Sequence, residues 1–423
     1  MKNKLITNDK VVIYGAGKIG QLVLNLCNDY GIKNIQVWDN YPDRVIEFDN
    51  KDIIVKPPSF EGNKVASDYD LQDAMVIITI FSPDVSKRLA TPLLSKGFKD
   101  VVYDRSDVSE LLVNHCKWLE ENKRYQFDLA DCFTCPARRD DKVECDLFNS
   151  NYGITIDNDS KPVIFPVLGL LLTTKCNLTC TGCNHLLDHF DKSQHININY
   201  DVLLSDLNKL LESVDFIKSI VVVGGEPFMY PEFEEVISYL LTVKKIGFVQ
   251  VITNGTVMPR KDSLYKLLSN KRIVVEVSGY GDKIGDKKIR QRDKLIDMFI
   301  KNNIRYHYDE ASQWFDFGGF DKRSFGTEGQ KRVYKTCCFI SNDLLDGKLH
   351  KCSRSAYGLF LGKTPNYKND YIDIRLTNHS NLRDEFVKFF EMVPMACFHC
   401  DGTTGAIIPA GIQVEQKKIK AHS

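Results

Sequence analysis

Three cysteines stand close together in the run Cys176-Asn177-Leu178-Thr179-Cys180-Thr181-Gly182-Cys183. This CxxxCxxC follows an apolar stretch, Val167 to Leu172, and opens a polar segment. A [4Fe–4S] cluster needs a ligand on each of four irons, and Cys thiolate is the usual one. Three neighbouring thiolates hold three irons and leave the fourth open. An open iron points to catalysis rather than plain electron storage. The same cysteines can instead form a zinc knuckle closed by a distant ligand such as His185 or His189.

Other chemistry-bearing stations follow along the chain. Gly224-Gly225-Glu226-Pro227 comes after the next apolar run, Ile217 to Val223. A glycine pair there lets the backbone approach a ligand closely, and the Glu226 carboxylate can hold an ammonium group. Asn254 and Ser278 fall at the ends of two further apolar runs, where turn and cap chemistry also accounts for them. Downstream stand Cys337, Cys338 and Cys352, then Cys397 and Cys400 as a CxxC. A structural zinc site is one reading of these thiols. Cys116, Cys132, Cys135 and Cys145 form a looser group that either binds a metal or stays as free thiols. Trp314 can stack on a sugar ring or anchor a loop, and Asn184, His185, Asp188 and His189 follow the first cysteine loop closely enough to face a substrate.

The elements that must position these residues read as alternating strands and helices. Val167–Leu172, Ile217–Val223, Phe248–Thr253 and Ile273–Ser278 are strand-like. Between them, Leu203, Leu207, Leu210, Leu211 and Val214, and then Phe233, Val236, Ile237, Leu240 and Leu241, recur at helical spacing. A repeated β/α order implies a full or partial barrel, with its site at the C-terminal ends of the strands. The cysteine loop, the glycine pair, Asn254 and Ser278 all fall at such ends.

The N-terminal stretch has its own pattern. Val11-Val12-Ile13-Tyr14 leads into Gly15-Ala16-Gly17-Lys18-Ile19-Gly20, and a second strand-like run ends at Asp39. This matches the dinucleotide fingerprint, in which Gly15, Gly17 and Gly20 shape the turn, a helix N-terminus holds phosphate, and Asp39 meets a ribose diol. A scaffold that kept the fold without the ligand reads the same way. The module looks similar to small Rossmann-like domains attached to sugar-modifying enzymes of bacterial polysaccharide pathways, so a nucleotide or nucleotide-sugar is its expected ligand.

Composition bounds the rest. A chain of 423 residues suggests two or three domains. Lys plus Arg equals Asp plus Glu at 56 each, so no global charge draws the chain to nucleic acid or membrane. Met1 to Lys10 is polar, and no apolar run approaches a membrane span. A cytoplasmic location is expected, where 13 cysteines read as metal or redox ligands rather than a disulfide framework.

The CxxxCxxC with Gly224-Gly225-Glu226-Pro227 resembles the core of the radical S-adenosylmethionine (radical SAM) enzymes, over roughly residues 163–310. The family often has an aromatic residue before the third cysteine, where this chain has Gly182. The resemblance implies that Cys176, Cys180 and Cys183 hold a [4Fe–4S] cluster, whose open iron is chelated by SAM. Gly224, Gly225 and Glu226 would hold its amino group, and Asn254 and Ser278 its ribose and carboxylate. One electron would then cleave SAM to methionine and a hydrogen-abstracting 5′-deoxyadenosyl radical. The downstream thiols resemble a twitch-type relative of the SPASM domain. That implies an auxiliary [4Fe–4S] cluster on Cys337, Cys352, Cys397 and Cys400, and leaves Cys338 over as a hydrogen donor or an alternative ligand.

The expected architecture is α/β. A Rossmann-like domain spans 1–105, a cysteine-containing linker 106–161, a partial-barrel radical SAM core 162–333 and a twitch-like domain 334–423. The expected substrate is a sugar, nucleotide-sugar or polyol, oxidised or epimerised, with flavodoxin or ferredoxin as reductant and no nucleic-acid or membrane partner. Two alternatives are a peptide-modifying maturase and an iron–sulfur electron-transfer or redox-sensing protein.

Overall fold

Two mixed sheets, mostly parallel, organise the protein. The structure is a computed structural model that describes residues 8, 10–39, 45–48, 51–56, 60–61, 64–65, 73–80, 83–122, 135–139, 145, 162–259, 261–310, 313–337 and 341–414. The chain divides into two units, Met1–Thr155 and Ile156–Ser423.

In the first unit the strands are β1 (Lys10–Tyr14), β2 (Asn34–Trp38), β3 (Val45–Phe48), β4 (Lys51–Lys56), β5 (Met75–Ile78) and β6 (Asp100–Val102), in the sheet order 3-4-2-1-5-6. All neighbours are parallel except β3 against β4. β1 shows the period-2 alternation of a strand buried on both faces. Val11 and Ile13 join a cluster with Val23, Leu24 and Cys27 of α1 (Lys18–Asp29). Val12 and Tyr14 turn to Trp38 and to Ala90 and Leu93 of α2 (Pro83–Ser95). The stretch after Tyr103, expected as the start of a connector, is instead α3 (Arg105–Glu121), capped by the Asp104 carboxylate, which accepts from the Ser106 N–H at 2.9 Å. Its Val108, Leu111 and Leu112 pack into the same core as α1.

The second unit carries β7 (Leu168–Leu171), α4 (Tyr200–Glu212), β8 (Phe216–Val223), α5 (Phe233–Thr242), β9 (Ile246–Thr253), α6 (Asp262–Leu268), β10 (Ile273–Gly279), α7 (Asp286–Lys301) and β11 (Tyr306–Glu310). Strands β7 to β11 lie side by side in chain order and all run parallel. Val222 pairs with Leu170 on one side and Val251 on the other, and Thr253 pairs with Val277. This register brings the loops after β7, β8, β9 and β10 to one rim of the sheet. Beneath that rim a continuous apolar core runs from Leu170 and Ile220 to Leu207, Ile237, Leu268 and Phe299. Burying each such side chain stabilises the fold by ~1.5–3 kcal/mol.

The chain then forms β12 (Gln313–Phe315), α8 (Thr327–Thr336), β13 (Asp343–Leu345), β14 (Lys348–His350), α9 (Ser353–Phe360), β15 (Tyr371–Asp373), α10 (His379–Glu391) and β16 (Ile407–Pro409). β13 adds parallel to β7, and β14 and β15 extend the sheet antiparallel. Asp346 and Gly347 close the β13–β14 hairpin with φ of 45° and 76°, as a two-residue turn of the primed kind demands. Arg375 ties this region to α4 through the buried Asp206, at 2.9 and 2.8 Å. Among the described residues no helix is long and apolar enough to cross a membrane.

Candidate functional site

A cavity of about 180 Å³ opens at the rim of the second sheet. Cys176, Cys180 and Cys183 line it, and so do Gly224, Gly225, Asn254 and Ser278. The structure therefore gathers seven of the eight rim residues expected from the sequence around one cavity, and the eighth, Glu226, is not among those that line it.

Both glycines are forced by the crowded path of the cysteine loop. A Cβ on Gly224 would lie 2.5 Å from the Thr173 carbonyl oxygen, and one on Gly225 2.1 Å from that of Lys175. The Gly225 N–H donates to the Thr173 carbonyl at 2.6 Å, and the Glu226 N–H to that of Lys175 at 2.9 Å. The glycine pair thus seats the loop itself, besides facing the cavity.

Glu226 is fully buried and turned into the fold. Its carboxylate accepts from the Thr253 hydroxyl at 2.7 Å, the Asn254 N–H at 2.8 Å and the Phe228 N–H at 3.2 Å. Burial pushes its pKa up to about 7 against the pull of these bonds. As placed, the carboxylate braces the end of β8 against the end of β9 rather than lining the cavity.

Asn254 serves the loop as well as the cavity. Its amide donates to Asn177 Oδ1 at 3.0 Å and approaches Cys176 Sγ at 3.6 Å, and its oxygen accepts from the Thr256 N–H at 2.9 Å. The Leu178 N–H points at Cys176 Sγ at 3.4 Å, and Lys288 Nζ holds the Asn177 carbonyl at 2.9 Å. Ser278 bonds the half-buried Tyr280, which stands edge-on to Trp314 at 5.5 Å. Burial raises the pKa of all three thiols, Cys183 to about 12. A metal that took these ligands would therefore displace their protons.

Gly182 has φ of 73°, and a Cβ there would lie 2.5 Å from Ile408 Cδ1. Ile408, on β16, fills the space beside the third cysteine. His185 donates through Nδ1–H to the Gly224 carbonyl and rests against Tyr357. Burial lowers its pKa, so it acts as a neutral strut between the two loops. His189 packs edge-on to Phe320 at 5.1 Å, and Asp188 accepts the Gly182 N–H at 3.1 Å. Trp314, Phe315 and Phe317 give the cavity an aromatic wall.

A second, smaller cavity of about 40 Å³ is lined by Cys337, Cys352, Cys397 and Cys400. Cys352 caps α9, and its sulfur accepts from the Ser355 N–H at 3.5 Å. Cys400 Sγ accepts from the Gly402 N–H at 3.3 Å. Asp370 fixes the intervening turn by accepting the Met395 and Ala396 N–H groups at 2.7 and 2.6 Å. Burial raises Cys352 to about 12, and Cys397 is raised by burial and then by Cys352, Cys400 and Cys337 nearby. Lys351 and Arg354 share the cavity wall, and burial lowers the Lys351 pKa to about 7. Lys351 is buried with its ammonium 4.3 Å from the Phe389 ring centre. Four thiols beside the Arg354 guanidinium suit an anionic cluster. Among the described residues, no three His, Cys, Asp or Glu groups are gathered as a single metal ion requires. Cys338 lies outside the described residues, as does Cys132; Cys116 and Cys145 are half-buried, and Cys135 packs against the N-terminal core.

In the N-terminal unit, Gly15 has φ of 120°, and a Cβ there would lie 2.7 Å from Thr79 Oγ1. A Cβ on Gly20 would lie 2.0 Å from the Gly15 carbonyl oxygen, while one on Gly17 meets nothing within 4 Å. Asp39 Oδ2 accepts the Ala16 N–H at 2.8 Å and pins the turn.

Sequence reasoning missed Gln413. Its amide donates to Cys180 Sγ at 3.1 Å while its oxygen accepts the Thr179 N–H at 3.0 Å. No local pattern marks a glutamine 233 residues from its partner. It also missed Asn184 Nδ2 donating to Ser353 Oγ at 2.9 Å, which joins the two cysteine sets.

The match to a known family falls within the second unit. Residues 170–308 match the radical SAM superfamily. A curated relative is GTP 3′,8-cyclase of Aquifex aeolicus (strain VF5), 24% identical over 144 residues, or 34% of this chain and 44% of the relative. The chain thus spans less than half the length of that relative. Among solved structures, native anSMEcpe with bound AdoMet and Cp18Cys peptide aligns with a TM-score of 0.39 at 15% identity, over 56% of this chain and 84% of that one. BtrN in complex with AdoMet and 2-DOIA aligns with a TM-score of 0.37 at 14% identity, over 58% and 95%.

Proposed function

We propose that this protein is a radical SAM enzyme that abstracts a hydrogen atom from a sugar, nucleotide-sugar or polyol, in a dehydrogenation or an epimerisation. The observation that carries the reading is the convergence of Cys176, Cys180 and Cys183 with Gly224, Gly225 and Asn254 on one cavity at the strand ends. When bound there, a [4Fe–4S] cluster with SAM supplies one-electron reductive cleavage and a hydrogen-abstracting radical.

The chain's own residues bind, orient and shield. Three thiols present one ligand each and leave room for a fourth, non-protein ligand. The Gly224–Gly225 backbone, Asn254 and Ser278 offer polar contacts, while Glu226 holds two strand ends in register. Trp314 and Phe317 form an apolar wall that excludes water and suits the flat face of a sugar ring. The partial barrel is the frame of this site, and residues 334–423 are a twitch-like domain with an auxiliary [4Fe–4S] cluster on Cys337, Cys352, Cys397 and Cys400. The N-terminal unit is a Rossmann-like domain that takes a nucleotide or nucleotide-sugar at the Gly15–Gly20 turn. A flavodoxin or ferredoxin supplies the electron, in the cytoplasm.

The test is anaerobic reconstitution followed by iron analysis and label transfer. About 8 iron atoms per chain are expected from two four-iron clusters. Deuterium from a labelled sugar is expected in 5′-deoxyadenosine. Label arriving only from a peptide would replace the sugar reading with a maturase, and a zinc-loaded, iron-free protein would end the radical reading.

A further inference from the structure

Residues 407–414 form a strap over the outer side of the CxxxCxxC loop. β16 pairs antiparallel with β12, with Ile408 opposite Trp314. Gly411, with φ of 75°, then turns the chain against Tyr280; a Cβ there would lie 2.6 Å from Tyr280 Cβ. Beyond it the Thr181 N–H donates to the Ile412 carbonyl at 2.8 Å, and the Val414 N–H to the Thr179 carbonyl at 2.9 Å. Gln413 sits between these two backbone bonds. Its Oε1 accepts from Thr179 at 3.0 Å, and its Nε2 divides between Cys180 Sγ at 3.1 Å and the Gly411 carbonyl at 2.9 Å. The amide is thus fixed by three partners, and its orientation is settled: oxygen toward a backbone donor, nitrogen toward sulfur and a carbonyl.

Cys180 is buried, at 7% exposure. Leu178 and Ile284 pack with it, so little solvent reaches the sulfur to solvate charge. A side-chain N–H donor delivered to such a sulfur has a strong electrostatic effect.

We propose that Gln413 is a positioning residue that sets the reduction potential of the Cys176–Cys180–Cys183 site through its N–H···S bond to Cys180. The inference rests on the reading that an iron–sulfur cluster occupies that site. Adding an electron makes the cluster and its thiolates more negative. A hydrogen bond donated to a ligand sulfur stabilises that reduced form more than the oxidised one, and so makes the potential less negative. The strap thereby couples a distant segment to the step that admits the electron.

The experiment is an anaerobic redox titration of the full-length reconstituted chain, followed by electron paramagnetic resonance, for wild type, Gln413→Glu and Gln413→Leu. Gln413→Glu keeps an acceptor for the Thr179 N–H and removes the donor to Cys180. Gln413→Leu removes both and adds no charge. The expected result is wild-type iron content with a midpoint shifted to more negative potential in both variants, and an unmoved signal from the second thiol set. Full iron content with unmoved midpoints overturns the inference and leaves the proposed function standing. Loss of iron from both folded variants overturns it in favour of a purely mechanical clamp. A wild-type chain that holds no iron on these cysteines overturns the proposed function itself.

Discussion

Asn184 donates its side-chain N–H to the Ser353 hydroxyl at 2.9 Å, and each residue directly follows a cysteine of a different set, Cys183 and Cys352. One side-chain hydrogen bond therefore links the residue after Cys183 to the residue after Cys352. If both sets carry clusters, this is a short bonded route between them. Ser353→Ala is expected to cost about 0.5–1.5 kcal/mol of stability, to keep the iron content, and to slow electron exchange between the two sites. Freeze-quenched electron paramagnetic resonance after rapid reduction would read that exchange. Unchanged exchange would remove the route.

Glu226 supports a sharper prediction about stability. Glu226→Ala strands the Asn254 and Phe228 N–H groups in a buried site. Each unsatisfied donor costs about 1–3 kcal/mol, so the variant should unfold at markedly lower denaturant and retain little iron. Glu226→Gln keeps an acceptor and should lose less of both. Equal behaviour of the two variants in urea unfolding would argue against the brace.

Gly225→Ala is expected to displace the cysteine loop, because its Cβ would lie 2.1 Å from the Lys175 carbonyl oxygen. Gly17→Ala, in the N-terminal turn, meets nothing within 4 Å and should leave folding unchanged. Parallel thermal melts and iron assays would separate them.

Asp343 gives the pH prediction. It is buried beside Gly169, and burial raises its pKa to about 7 despite a bond from Ser341. An unfolded Asp titrates near ~3.9. Between those values the folded state binds the extra proton, so this group makes stability fall as pH rises from about 4 to about 7. Asp343→Asn should flatten that slope in thermal melts taken across the window. A slope identical to wild type would contradict the assignment.

The parts of this site that were legible in the sequence are those set by local spacing. Cys176, Cys180 and Cys183 lie within one loop, and the strand-end positions of Gly224, Asn254 and Ser278 follow from apolar runs of strand length. Parallel pairing then does the assembly, since register carries every strand end to one rim. Side-chain direction was not legible. Glu226 turns inward because Thr253 and two backbone donors outcompete the cavity, and Asp39 folds back onto Ala16. Nor was long-range closure: Ile408 beside Gly182, and Gln413 on Cys180, depend on a strap whose own sequence has no metal-binding pattern. Helix α3 was hidden by its mixed polarity, since only one face, with Val108, Leu111 and Leu112, meets the core.

The second thiol set predicts its own selectivity. Cys397→Ala or Cys400→Ala should remove about half of the iron, four of eight atoms, and leave the first site's spectrum in place. Iron content equal to wild type in both variants would exclude them as ligands.

The most direct test of the central claim is the product of SAM in the reconstituted, reduced protein, measured by liquid chromatography and mass spectrometry. The account predicts 5′-deoxyadenosine and methionine from the wild-type chain, and none from the variant with Cys176, Cys180 and Cys183 all changed to Ala. Cleavage persisting in that triple variant, or no cleavage by an iron-loaded wild type, would contradict it.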